Sequence, residues 1–215
     1  MSGKLSGDRL KREQERLSGM RSFEREYAAY ANICGIDEAG RGPLAGPVAA
    51  GAVILPADCD ILYLNDSKKL TPKRRDALYD EIRERAVAYA VALAEPERID
   101  EINILQATYE AMRRAAAELS VKPDLLLVDA VTIPEIGIRQ VPIIHGDARS
   151  LSIAAASVMA KVTRDRIMEE YDRIYPVYGF AKHKGYGTAE HIAALKKYGP
   201  CPIHRRSFIG HFVPV

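Results

Sequence analysis

Two adjacent carboxylates, Asp37 and Glu38, directly follow a short apolar run and precede the turn Gly40-Arg41-Gly42. Neighbouring side chains of a strand point to opposite faces of the sheet. The two carboxylates can therefore serve one site only if the chain bends where the strand stops. We expect Gly40 and Gly42 to allow that bend, because glycine accepts backbone conformations that other residues avoid.

Two further apolar runs also end on aspartate, at Asp129 and Asp147. With Asp37 and Glu38 they form a set of oxygen ligands without an accompanying Cys/His cluster, which suits Mg²⁺ or Mn²⁺ better than Zn²⁺. Two ions about 3.5–4 Å apart could activate a water molecule and stabilise the leaving oxygen of a phosphodiester. A single strand-end aspartate is more often a turn or a helix cap, but four acids together favour a metal site.

Three other segments could contact a polyanion. The glycines at 40 and 42 can bring backbone N–H groups close to a ligand, and Arg41 offers a planar fork for phosphate; the alternative is a tight turn with Arg41 in solvent. Lys68, in a segment before a helix, could hold a phosphate or lie in a solvated loop. Residues 182–188 place cations and an aromatic ring on a glycine-flanked loop suited to a nucleic acid, or simply bury a tyrosine.

The small residues 150–157 permit close packing of a helix against a sheet. Lys161 lies one turn beyond Ser157, and it either points at a substrate backbone or is an ordinary lysine on a helix face.

Hydrophobic periodicity predicts the elements that would position these residues. Thr71-Pro72 is typical of a helix start, with an N-cap followed by proline. We predict strands over 33–37, 49–55, 87–93, 125–129 and 141–145, helices over 72–86, 100–119, 152–175 and 189–198, and a loop over 176–188. This order favours a mixed sheet with helices on its faces, an α/β domain.

The composition limits the classes of protein. The chain has 215 residues, 47% of them hydrophobic, which fits one large domain or one domain with a small appendage. No apolar run is long enough for a membrane span, and the N-terminus lacks the apolar region of a secretory signal. Three cysteines without metal-ligand spacing indicate reduced thiols, so we expect a cytoplasmic protein that does not bind membranes.

The charge is unevenly distributed, although the net charge is only +2. Residues 161–215 hold 10 Lys/Arg against 5 Asp/Glu and four of the five histidines. A basic region beside an acidic site suggests a polyanionic substrate, while a solvated basic face is the plainer interpretation. Residues 1–30 are densely charged, and their apolar positions fit one helical stripe.

Taken in order, these motifs resemble those of ribonuclease HII. They span about residues 33–208 and comprise Gly35–Pro43, Asp66–Leu70, Leu127–Asp129, Gly146-Asp147, Ser152–Ser157 through Lys161, and Lys184–Thr188. The resemblance implies an RNase H-like five-stranded mixed sheet flanked by helices, with a small C-terminal helical region. The chain would then divide into a charged amphipathic helical extension (1–30), an RNase H-like catalytic domain (31–175) and a basic substrate-binding region (176–215).

The resemblance also implies an activity. The protein would be an endoribonuclease that cleaves the RNA strand of RNA–DNA hybrids and incises on the 5′ side of a ribonucleotide embedded in duplex DNA, leaving 3′-hydroxyl and 5′-phosphate ends. The Gly40-Arg41-Gly42 backbone would sense the ribose 2′-hydroxyl, and Tyr186 would stack on the deoxyribose after the RNA–DNA junction. Two Mg²⁺ or Mn²⁺ ions would be held by Asp37, Glu38, Asp129 and Asp147, and the substrate by Lys68, Lys161 and Lys184 as well.

Two features depart from the family pattern. His145 stands where many relatives have lysine, so the charge at a substrate-backbone contact becomes pH-dependent near neutrality. Residues 1–30 lie outside the motifs that carry the resemblance.

Other functions stay open at this stage. A different two-metal nuclease on the same kind of sheet would cut all-DNA substrates, and a non-catalytic module would bind RNA or hybrids without cutting them. We expect a monomer, because no extended apolar stripe beyond residues 1–30 calls for a dimer. No clear motif for docking on a replication clamp is present, so the sequence leaves protein partners open.

Overall fold

The computed structural model of the protein describes residues 7–214, which form a five-stranded mixed sheet with helices on both faces. Strand β1 lies at the centre, antiparallel to β2 and parallel to β4; β3 pairs antiparallel with β2, and β5 parallel with β4. The spatial order is β3-β2-β1-β4-β5. The strands are β1 (Ile33–Ala39), β2 (Val48–Ile54), β3 (Ala88–Ala94), β4 (Leu125–Asp129) and β5 (Arg139–Ile143). The predicted five-stranded α/β fold is confirmed.

Helices cover both faces of this sheet and build the C-terminal region. They are α1 (Gly7–Met20), α2 (Ser22–Glu26), α3 (Pro72–Arg85), α4 (Pro96–Ala117), α5 (Leu151–Ile174), α6 (Phe180–His183), α7 (Ala189–Tyr198) and α8 (Arg206–Ile209). One apolar core lies between the sheet and α4, and a second lies between the sheet, α3 and α5. Within residues 7–214, no helix is both long and apolar enough to cross a lipid bilayer.

Helix α5 packs unusually close to the two central strands, because glycines face it. A Cβ atom at Gly35 would overlap the backbone carbonyl of Ser152, and one at Gly51 would overlap the carbonyl oxygen of Ala156. The small residues of the first two turns of α5 make the same approach possible from the helix side. This close contact fixes the position of α5 relative to the end of β1.

We expect Gly35→Ala to destabilise the protein, because the added methyl group would meet backbone atoms that cannot move independently. Overpacking of this kind costs about 1–3 kcal/mol, which corresponds to a loss of roughly 2–4 °C in Tm per kcal/mol for a chain of this size. Thermal unfolding measures the effect. Gly137→Ala is the matched control, since nothing lies within 4 Å of its added Cβ; equal Tm values for both variants would contradict the close packing.

Several boundaries differ from the predicted ones for local reasons. Strand β1 continues two residues beyond the predicted end, because its pairing with β2 runs on to Ala39↔Ala49. Strand β5 begins and ends two residues earlier than predicted, because His145 adopts a left-handed conformation (φ 57°, ψ 41°) that ends the extended chain. Helix α4 begins at Pro96, and Asn103 (φ 66°) interrupts it. The predicted loop over 176–188 contains the single helical turn α6.

The N-terminal extension forms two helices and docks on the body of the protein. Leu17 and Met20 are buried in the core beneath α3 and α5. The carboxylate of Glu24 accepts hydrogen bonds from the Ser150 hydroxyl (2.7 Å) and the Ser152 backbone N–H (2.9 Å), at the start of α5. A carboxylate at this end of a helix is stabilised by the helix dipole. Residues 1–6 of the predicted extension lie outside the described residues.

Candidate active site

Three aspartates from different elements converge at one edge of the sheet. Asp37 lies in β1, Asp129 ends the neighbouring β4, and Asp147 lies in a short 3₁₀ turn after β5. One carboxylate oxygen from each lies within 4.8 Å of the others. The parallel strands β1, β4 and β5 bring their carboxyl ends to this edge, which is why acids distant in sequence meet there.

Local contacts hold two of these carboxylates in place. The Gly146 backbone N–H donates to Asp129 Oδ1 at 2.7 Å, and the Glu38 N–H donates to Asp37 Oδ1 at 2.7 Å. Gly146 leaves room for this approach, since a Cβ there would lie 2.6 Å from Ile153 and 3.3 Å from the Asp129 carboxylate. Asp37 is 4% exposed and Asp147 is 7% exposed, so both are largely removed from water.

The electrostatics of this group disfavour so much negative charge without a cation. Burial raises the pKa of Asp37 well above its ordinary value, and the charges of Glu38 and Asp129 raise it further. Burial also raises the pKa of Asp147, with added repulsion from Asp66 and Asp129. Buried oxygen ligands with unbalanced charge are the arrangement that hard divalent cations bind.

Glu38 does not join the three aspartates in the way the sequence analysis predicted. The bend lies beyond both acids, because β1 stays paired with β2 through Glu38 and Ala39 and the chain turns only at Gly40 (φ 96°). Glu38 Oε1 instead lies 3.4 Å from Arg41 Nη1. Burial and the charge of Asp129 raise the pKa of Glu38, while Arg41 lowers it, so Glu38 remains electrically linked to the group. It lies at the rim of the three-aspartate group, which it does not enter.

Lys68, which the sequence analysis singled out, interacts electrostatically with all three aspartates. Burial acts to lower the pKa of Lys68, but the carboxylates of Asp37, Asp147, Asp66 and Asp129 together raise it above its ordinary value. Asp66 was missed as a member of the site. It fixes the segment through Oδ1, which accepts the Lys68 backbone N–H at 2.9 Å.

The turn at residues 40–42 presents its backbone beside Tyr186. Arg41 and Gly42 are exposed, and a Cβ built on Gly42 would lie 3.7 Å from Cε1 of Tyr186. The Tyr186 side chain is 45% exposed, so it is not the buried tyrosine considered as an alternative. The exposed backbone and the exposed ring together form one wall, which adjoins the end of β1 that carries Asp37 and Glu38.

Two buried arginines behind this turn were missed entirely by the sequence analysis. Burial lowers the pKa of Arg164 to about 10 and that of Arg205 to about 9. A single arginine in a helical pattern, such as Arg164, or in a C-terminal loop, such as Arg205, does not by itself predict a buried structural role.

The other two predicted substrate lysines are engaged with acids. Lys161 Nζ lies 2.7 Å from Asp165, and Lys184 Nζ lies 2.7 Å from Glu169. Both residues line a groove of about 800 Å³ that also reaches Tyr186. The structure therefore places these lysines in a groove beside Tyr186, outside the three-aspartate group.

Three of the C-terminal histidines are buried and serve the loop that carries Tyr186. His191 Nδ1 donates to the Tyr186 carbonyl (2.9 Å), and its Nε2 lies 3.1 Å from Nε2 of His204. His204 Nδ1 accepts the Cys201 backbone N–H (3.0 Å). These contacts are all satisfied when both rings are neutral. His183 stacks on His191.

We expect this cluster to make folding stability depend on pH. Burial lowers the pKa of His204 to about 4 from its ordinary 6.5, so the unfolded chain binds this proton first and stability falls as pH drops from 6.5 towards 4. The full effect is up to about 3 kcal/mol. Unfolding by denaturant at several pH values should show it in the wild type and lose it in His204→Gln. The exposed His211→Gln is the control; identical pH slopes for all three proteins would contradict the prediction.

An α/β sheet of this order, with acids gathered at the carboxyl ends of its central parallel strands, defines the chain as a nuclease of the RNase H-like class. The sequence profile of the family described as Ribonuclease HII matches residues 34–211. The chain belongs to the ribonuclease HII family, and it is an endoribonuclease of RNase H type 2.

Individual relatives agree with this membership. A ribonuclease HII of Lachnoclostridium phytofermentans is 63% identical over 202 residues, which cover 94% of this chain and 80% of the relative. That coverage reaches into residues 1–30, so much of the N-terminal extension is shared with this relative. The motifs alone had placed the extension outside the resemblance.

Solved structures show the same fold. The crystal structure of ribonuclease H2 from Pyrococcus horikoshii OT3 is 31% identical, with a TM-score of 0.69 over 82% of this chain and 93% of that one. RNase HII in the PCNA:RNase HII complex from Archaeoglobus fulgidus is 30% identical, with a TM-score of 0.68 over 83% of this chain and 94% of that one.

Proposed function

We propose that this endoribonuclease incises duplex DNA on the 5′ side of an embedded ribonucleotide, in addition to cutting the RNA strand of RNA–DNA hybrids, and leaves 3′-hydroxyl and 5′-phosphate ends. The observation that carries the proposal is the wall formed by the exposed Arg41-Gly42 backbone and the Tyr186 ring, which directly follows the end of β1 that supplies Asp37 to the three-aspartate group. A site that cuts at a single ribonucleotide needs both a group that recognises one 2′-hydroxyl and a surface for the adjoining deoxyribose.

The carboxylates fit the divalent ions that the family uses. Asp37, Asp129 and Asp147 supply oxygen ligands from three elements, and Glu38, whose pKa the charge of Asp129 raises, would complete the set for two Mg²⁺ or Mn²⁺ ions. When bound, such ions lower the pKa of water and stabilise the leaving oxygen of a phosphodiester. The raised pKa values of Asp37 and Asp147 support this assignment, because a bound cation would relieve the repulsion that raises them.

The recognition of the substrate falls to the surrounding residues. Backbone N–H groups of residues 40–42 would hold the ribose 2′-hydroxyl, and the Tyr186 ring would stack on the next sugar. The Lys68 ammonium, with its raised pKa, stays charged at neutral pH and would hold a phosphate of the cut strand. Lys161 and Lys184 would contact the backbone further along the groove, after exchanging an acid partner for a phosphate.

The two competing functions lack this support. A nuclease for all-DNA substrates has no use for a wall that recognises ribose. A binding module without activity would not need three converging, repelling aspartates, because an uncompensated group of this kind costs stability.

A single set of substrates tests the proposal. We would compare a labelled DNA duplex that contains one ribonucleotide, its all-DNA twin and a long RNA–DNA hybrid, with Mg²⁺, Mn²⁺ or EDTA. We expect metal-dependent cutting of the first on the 5′ side of the ribonucleotide, cutting of the hybrid, and an intact twin. Cutting of the twin would favour the general nuclease. Cutting of the hybrid alone would overturn the single-ribonucleotide activity.

A further inference from the structure

The loop between β1 and β2, residues 40–47, rests on two buried guanidinium groups. Arg205 is fully buried and Arg164 is 1% exposed. Among residues 7–214, no carboxylate lies within the 4.0 Å ion-pair distance of either group. Buried charges without an acidic partner are costly, and well-packed apolar side chains would generally be cheaper as filling. The two arginines therefore do something for this loop that packing alone would not.

Arg205 gathers four carbonyl groups of the loop onto one planar fork. Its Nη2 donates to Gly40 O at 2.6 Å, its Nη1 to Arg41 O at 2.8 Å and Pro43 O at 2.9 Å, and its Nε to Gly46 O at 2.9 Å. The fork geometry of arginine matches this set, and the single ammonium of a lysine does not.

Arg164 continues the same pattern and connects the loop to the segment that carries Tyr186. Its Nε donates to Pro47 O at 2.9 Å, its Nη2 to Ala45 O at 3.1 Å, and its Nη1 to Lys184 O at 2.9 Å. The positive φ of Gly40 (96°) brings the loop against this side chain, where a Cβ would overlap Nε. Both parts of this wall, the 40–47 loop and the segment that carries Tyr186, are thus bonded to one buried side chain.

These bonds decide which side of the backbone faces outward. The carbonyls of residues 40 and 41 point inward to Arg205, while Arg41 and Gly42 are exposed. Within residues 7–214, the backbone N–H groups of Arg41 and Gly42 have no hydrogen-bond acceptor. A ligand oxygen is the partner that such outward N–H groups lack.

We infer that Arg205 and Arg164 are positioning residues for ribose recognition: they fix the 40–47 loop with its carbonyls inward, so that its outward N–H groups meet the ribose while Tyr186 meets the next sugar. This inference rests on the proposed function. It assigns the geometry of the recognition loop to two side chains that touch neither the metal site nor the substrate.

The test separates the rate of cutting from binding. Arg205→Lys keeps the charge but cannot reach four carbonyls from one plane, so it loosens the loop and leaves the phosphate contacts in place. We expect the single-turnover rate at saturating enzyme to fall about 10²-fold, the loss typical of a misplaced reacting group. The Kd for the duplex, measured with Ca²⁺ in place of Mg²⁺ by fluorescence anisotropy, should change less than threefold. Arg164→Lys should behave in the same way.

A destabilised control variant tests whether a loss of rate merely reflects a loss of folding stability. Met112 lies on α4 and is buried in the core on the opposite face of the sheet, so Met112→Ala should lower Tm without changing the rate per active molecule, counted by active-site titration. If Arg205→Lys retains the wild-type rate per active molecule, or loses rate only as Met112→Ala does, the inference is wrong.

The long RNA–DNA hybrid keeps this inference apart from the proposed function. If the wild type cuts the hybrid but not the single ribonucleotide, the proposed function fails. The comparison of Arg205→Lys with wild type is then made on the hybrid. A loss of rate without a loss of affinity would still support the positioning role, and an unchanged rate would overturn it.

Discussion

Asp129→Asn is expected to reduce cleavage of a duplex with one ribonucleotide by at least about 10³-fold, because several kcal/mol of metal-dependent stabilisation are lost. The fold should survive. The amide oxygen of asparagine can still accept the Gly146 N–H that now bonds Asp129 at 2.7 Å. Removal of one negative charge also relieves the repulsion that raises the pKa of Asp37, so the Tm of the metal-free variant should equal or exceed that of the wild type.

A matched control lies at the other end of β4, the strand that carries Asp129. Asp124, just before β4, accepts the Asn32 backbone N–H through its carboxylate at 3.0 Å. Asp124→Asn therefore repeats the chemical change at the opposite end of the strand and should leave cleavage unchanged. Single-turnover rates, together with the rise in Tm on adding Mn²⁺, measure the effect. A near-wild-type rate for Asp129→Asn, or an unchanged Mn²⁺-induced rise, would remove Asp129 from the metal site.

The convergence of the aspartates could be anticipated from the sequence, and the position of Glu38 could not. Apolar runs that end on acids reveal strand ends, and adjacent parallel strands bring those ends together. Whether a strand stops at its first acid depends on how far its neighbour remains paired. Here β2 keeps pairing as far as Ala39, and no local pattern in residues 33–43 encodes that partner.

The roles of Arg205 and Arg164 behind the site could not be predicted from the sequence for a similar reason. Arg205 bonds to Gly40 across 165 positions, and Arg164 bonds to Pro47 across 117. Local periodicity reports only which side of an element is buried, and arginine is ordinarily exposed. The docking of residues 7–26 likewise depends on a distant acceptor site at the start of α5, which Glu24 reaches across 126 positions.

Tyr186→Ala is expected to lower the rate of cutting at a single ribonucleotide about 10–100-fold, since stacking on an aromatic ring contributes about 1–3 kcal/mol. The Tm should change little, because the side chain is already 45% exposed. The His183 carbonyl accepts the Tyr186 backbone N–H and His191 donates to its carbonyl, and both contacts persist without the ring. On a long hybrid the loss should be smaller, because a ribose replaces the deoxyribose that the ring is proposed to select.

Two further variants give this prediction its meaning. Tyr186→Phe keeps the ring and should keep most of the rate, which separates stacking from any role of the hydroxyl. Tyr198→Ala truncates a tyrosine of similar exposure on α7 and should leave cutting unchanged. If the Tyr186→Ala variant cut at the wild-type rate but had a lower Tm, the ring would be part of the packing of the loop. The selection of a single ribonucleotide would then have to come from the backbone of residues 40–42, the surface that Arg205 and Arg164 hold in place.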